Sequence, residues 1–155
     1  MTTSPASAVP PTPQSREVLS WLETQGYRPS VDDDGDLRIV MFGRRYLITH
    51  QGDDDTYYRL AAHRIHTFDD VGRNDAWAAA LEVTASTKVA RCIVHGNHVS
   101  VIADGRHIEP AHFVAVFEDL IGAVDHAVRT FRTTLDEYAA RHRAEEIIQK
   151  ARSGQ

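Results

Sequence analysis

The closing stretch of the chain constrains the fold most. From Pro110 to about Arg152 the sequence reads as one helix, with proline at its first turn. Its apolar positions Phe113, Phe117, Leu120, Val124, Phe131, Leu135 and Tyr138 follow gaps of three, four and seven. At 1.5 Å per residue, some forty residues span roughly 60 Å, about twice the diameter of a domain of this size. The part after Leu135 must therefore project, fold back or pair with another chain. Ile147 and Ile148 add a short apolar stretch to that arm, so self-association as a homodimer through the last helix is one expectation.

Upstream, alternation replaces helical spacing. "LRIVMF" (37–42) and "RYLITH" (45–50) flank Gly43-Arg44, a pair suited to a type II′ hairpin turn. That turn predicts Met41 opposite Tyr46, Ile39 opposite Ile48 and Leu37 opposite His50 on one face. The other face then carries Val40, Phe42 and Leu47 with Arg38, Arg45 and Thr49. "TYYRLAAHRI" (56–65) reads as a third strand after the acidic turn 51–55. "VARCIV" and "HVSVIA" form a second hairpin around "HGNH".

Two further helices complete the order. The first starts near Ser15 as N-cap and stops at Gly26, a C′ glycine. The second spans 73–87, with Asn74 or Asp75 as cap and Trp77 and Leu81 on its buried stripe. The predicted order is α-βββ-α-ββ-α: an α+β domain, an antiparallel sheet with helices packed on it. Residues 1–14, rich in Pro, Ser and Thr, read as a disordered tail, 15–135 as the domain and 136–155 as a helical extension.

Composition removes several functional classes. A net charge of −5 argues against binding nucleic acid by phosphate neutralisation. A single cysteine, Cys92, allows no internal disulfide and fits a reducing compartment. No apolar run approaches the roughly 18 residues a membrane span needs, and the first fourteen residues lack the features of a Sec signal. The cytoplasm is the expected location, with no membrane partner.

Candidate chemistry is thin. In "PSVDDDGDLRIVM", aligning Gly35 with the sixth position of a calcium loop leaves Met41 where a bidentate glutamate is required. The aspartates are therefore read as a turn. "CIVHGNH" places His95 and His98 side by side across a Gly96-Asn97 turn, while Cys92 points to the opposite, apolar face. Those two histidines are weak metal candidates, with His107 or His112 as a third ligand, short of the four that close a structural zinc site. His63 and His66 have opposite parity, and His126 and His142 read as solvated. No nucleophile elbow, phosphate loop or Cys-His pair on one face is present. The expectation is a protein that is not an enzyme and needs no cofactor.

What remains is a binding face. Val40, Phe42 and Leu47, with Ile93 and Ile102 from the second hairpin, form an apolar patch if no helix covers them. Arg38, Arg45 and Arg59 beside it would steer an acidic segment. A partner polypeptide docked there is the favoured reading, and a domain sensing a small ligand or metal is the alternative.

The stretches "VLSWLETQGYRPSVDDDGDLRIVMFGRRYLITHQGDDDTYYRL", "AWAAALEVTASTKVARCIVHGNHVSVIADG" and "FVAVFEDLIGAVDHAVRTFRTTL" together resemble the YbjN family over about residues 16–135. Its members are described as bacterial sensory-transduction regulators with the fold of type III secretion chaperones. The resemblance implies a small, acidic, often dimeric protein that binds other polypeptides, in a chaperone-like or regulatory role. It supplies no catalytic residues. The Pro-rich start and the arm beyond Leu135 depart from the family pattern.

Overall fold

The first helix, α1 (Pro13–Thr24), begins two residues before the expected Ser15. Thr12 is the cap, its hydroxyl accepting from the Ser15 N–H at 3.2 Å, and Pro13 fills the first turn where no amide is needed. Gly26, at φ 84°, ends the helix as predicted: its N–H reaches the Glu23 carbonyl and the Tyr27 N–H reaches Leu22, a Schellman closure. These details come from a computed structural model that describes residues 9–51, 54–107 and 109–154, without the side chains of 50, 51, 54 and 55. Most of the expected N-terminal tail, 1–8, and the tip of the acidic turn, 52–53, lie outside the described residues.

Six antiparallel strands follow: β1 (Ser30–Val31), β2 (Leu37–Met41), β3 (Arg44–Gln51), β4 (Asp54–Thr67), β5 (Arg91–His95) and β6 (His98–Arg106). Their order across the sheet is β1-β2-β3-β4-β6-β5. The two-residue β1 is additional to the predicted order; it exists because the aspartate stretch turns the chain back on itself. Asp32 accepts from the Asp34 and Asp36 amides at 3.0 and 2.9 Å, and Gly35 takes φ 85°. Arg38 then clamps Asp32 at 3.0 Å.

The first hairpin turns one residue earlier than predicted. Met41 pairs with Arg44, Ile39 with Tyr46 and Leu37 with Ile48. Phe42 and Gly43, at φ 52° and 71°, form the turn, and two positive values define type I′ rather than II′. The slip is two residues in register, so every side chain keeps its face. Its gain is the pairing of Leu37 with Ile48 in the core, where the predicted register set Leu37 against His50.

All three helices lie on one side. The long helix α3 (Pro110–Ser153) contacts β4, β5 and β6, α2 (Arg73–Ser86) contacts β5 and α3, and α1 rests on α3. Between them and the sheet sit Val18, Leu22, Ile39, Tyr46, Leu60, Val101, Phe113, Phe117, Val124 and Phe131, all essentially inaccessible.

Two expectations for α2 are corrected. Gly72 precedes it without a side-chain cap, and its buried stripe is Ala76, Ala79, Ala80 and Val83. Trp77 and Leu81 face solvent at 53% and 72% exposure. Small residues let α2 approach α3 closely, and large ones on that stripe would hold the helices apart. The contact is fastened by Tyr138 donating to Glu82 at 3.0 Å and by His142 Nδ1 lying 2.9 Å from Asp75. His142 is therefore paired rather than merely solvated. The 44 residues of α3 span about 66 Å without folding back. From Ala140 to Gly154 every residue is exposed.

Candidate protein-docking face

Register and parity together assign the face of the sheet opposite the helices. Arg38 pairs with Leu47, Leu47 with Ala61, Ala61 with Ile102, and Ile102 with Arg91. Since paired residues share a face, this row crosses five strands as three apolar residues flanked by arginines. Beside it run Val40 and Arg45 on one flank, and Thr49, Arg59 and Asp104 on the other. No described helix covers this face.

Its apolar part is smaller than the sequence suggested. Ile102 is only 2% exposed and Leu47 is half-buried. Asp104 lies between two arginines, with Arg59 at 2.9 Å and Arg91 at 2.7 Å. Burial works against its charge, but hydrogen bonds from Tyr57, Arg91 and Arg59 hold its carboxyl below the ordinary value. Arg59, expected to steer a partner, is thus held by Asp104. Arg38 is held in part by Asp32, while Arg45 and Arg64 have no ion-pair partner among the described residues.

The exposed apolar surface concentrates at the tip of the first hairpin. Val40 is 68% and Phe42 71% exposed. Phe42 occupies a left-handed turn position that favours Asn or Gly and costs an ordinary residue about 1–2 kcal/mol. The ring, largely exposed, recovers little of that cost by burial. Trp77 and Leu81, one helical turn apart on α2, form a second exposed pair that periodicity assigned to the core.

The histidines separate into unlike environments. His95 and His98 pair across the second turn with ring centroids 5.6 Å apart, as parity predicts. His107 packs against Tyr58 and Phe113 past the far end of β6, and His112 is exposed on α3, so neither joins them. Burial, followed by the nearby His112 charge, lowers the pKa of His107. His66 turns inward against Phe68 and Phe131, away from His63. Among the described residues no group of three or more His, Cys, Asp or Glu is placed to hold a metal. Cys92 opposes Val101 on the helix-covered face, as its parity requires.

One helix layer, one antiparallel sheet and one uncovered sheet face define an open-faced α+β module. No family model and no curated protein matches the chain. Among solved structures it is similar to the crystal structure of YbjN from E. coli, described as "a putative transcription regulator", with a TM-score of 0.60 at 12% identity. The alignment covers 81% of this chain and 92% of that one. The two share a fold. No described helix is long and apolar enough to cross a membrane.

Proposed function

We propose that the chain is a non-enzymatic protein-binding module, a chaperone-like or regulatory adaptor that buries a segment of a partner polypeptide on the uncovered sheet face. The observation that carries this reading is Phe42: a strained, exposed aromatic beside exposed Val40, on a face the helices leave open. Arg38 and Arg45 lie on that same face of a chain whose net charge is −5, so the partner segment is acidic with apolar anchors. The described fold of the neighbour as a regulator is consistent with an adaptor role.

The test is affinity capture from native lysate at low salt, with the co-eluting protein identified and then offered to variants. Val40→Asp/Phe42→Asp abolishes capture while circular dichroism stays unchanged. Phe42→Asn serves as the fold control: Asn-Gly suits the type I′ turn, so stability rises by up to about 1 kcal/mol while capture weakens. Undiminished capture by the Asp pair sinks the assignment.

The second reading, a metal-sensing domain, draws on the His95–His98 pair alone. Calorimetric titration with zinc and nickel would then give binding that disappears in His95→Ala/His98→Ala. Equal heats from both proteins remove it.

A further inference from the structure

The pairing of β4 with β6 departs from regular geometry part-way along. It is regular from Tyr57↔Arg106 to Ala62↔Val101 and resumes at His66↔Val99. Residues 63–65 of β4 thus face a single residue of β6, Ser100. Arg64 enters the left-handed region at φ 48°, and its N–H donates to the buried Ser100 hydroxyl at 3.1 Å.

This bulge has a specific effect. In a regular strand the side chains of residues 63 and 64 point to opposite faces. Here His63 and Arg64 line one cleft, together with Arg38, Arg45, Tyr46 and Leu47. Its volume is about 340 Å³, within the range of small-ligand sites. Three arginines and a histidine line it, and Asp32, engaged by Arg38, is their one carboxylate among the ion pairs of the described residues. Bulges and non-glycine left-handed residues re-aim side chains at binding sites more often than elsewhere.

We propose that this cleft binds a small organic phosphate. Forked guanidinium groups match the oxygens of a phosphomonoester, and a dianion answers several cations better than a single carboxylate does. Leu47, half-buried on the open face, supplies wall for the organic portion. The site shares Arg38, Arg45 and Leu47 with the docking face but stands without any partner. The cleft already bears on His63, which is exposed at the surface: partial desolvation by its neighbours first, then the charges of His98, Arg59 and Arg64, lower its pKa. A bound dianion reverses the sign of that field.

Phenyl phosphate is the probe, titrated into the full chain by calorimetry to about 10 mM, with benzoate as the monoanionic control. Saturable one-to-one binding is expected, with His63 titrating at higher pH by NMR when the probe is present. The variant Arg64→Gly removes a guanidinium and relieves the left-handed strain, so it folds at least as stably and binds about tenfold or more weakly. Arg45→Gln gives an independent loss. No saturation, or equal binding by Arg64→Gly, overturns the site. Benzoate binding as tightly as phenyl phosphate overturns the phosphate assignment, as does a His63 titration that the probe leaves unmoved.

Discussion

Replacing Phe117 with alanine is expected to remove about 3–5 kcal/mol of folding stability. The ring is fully buried and meets Trp21, Tyr27 and Phe113 edge-on, at centroid distances of 5.3, 5.6 and 5.8 Å. Phe113 in turn stacks on Tyr58 at 4.7 Å, so Phe117 joins α1 and the segment after it to α3 and, through Phe113, to the sheet. Truncation leaves a cavity between rigid rings whose backbones are fixed by three different elements, which limits collapse. Domains of this size have total stabilities of about 5–15 kcal/mol, so the loss is a large fraction of the whole. Urea unfolding should show a midpoint lower by about 2 M. Phe117→Leu, which keeps most of the volume, should lose less than half as much. A drop below about 1 kcal/mol for the alanine variant would mean that the aromatic cluster is not the joint described here.

Cys92 should react with a thiol reagent at pH 8 about 100-fold more slowly in the folded protein than an ordinary cysteine. Burial pushes its pKa up from 9.0 to about 11, against a smaller downward pull from the Thr84 hydroxyl. That hydroxyl also accepts from the Cys92 amide at 3.0 Å, tying β5 to α2. Only the thiolate attacks, and two pH units remove about 99% of it. Denaturant should restore the full rate at the same pH, and labelling at equal rates in both states would contradict the burial. The linkage has one sign. Because the folded pKa lies above the unfolded one, the contribution to stability is complete below pH 9 and is lost as pH rises from 9.0 towards about 11. The protonated, buried thiol is also a poor metal ligand, in keeping with its position on the opposite face from His95 and His98.

Parity made much of this legible beforehand. The inward set Leu37, Ile39, Tyr46 and Ile48, the side-by-side pair His95 and His98, and the inward Cys92 all follow from a period of two, and the structure places them so. The long helix and the Gly26 closure were equally readable, because proline, glycine and a sustained apolar stripe are local signals. What parity cannot resolve is a slip of two. Both registers of the first hairpin keep the same residues inside, and only the choice between Phe42-Gly43 and Gly43-Arg44 separates them.

Size misled at α2. Trp77 and Leu81 have helical spacing and large apolar surfaces, yet the packed stripe is made of alanines, because the distance to α3 and not hydrophobicity sets what fits there. The bulge around Arg64 gave no signal of its own. "HRIH" contains no glycine or asparagine, and the strain is accepted because Ser100, distant in sequence, receives the Arg64 amide. The cluster of Arg38, Arg45, His63 and Arg64 therefore became visible only with the tertiary pairing in place.

The sidedness of the molecule has a practical consequence for any solid-phase assay. From His142, the last residue fastened to α2, the helix runs another eleven residues to Ser153, about 16 Å of exposed rod on the side away from the open sheet face. A biotin or surface tether attached at that end would hold the molecule by its handle. Arg38, Val40 and Phe42 would then be presented to solution in every copy, and Lys150, one of only two lysines in the chain, already lies on that arm.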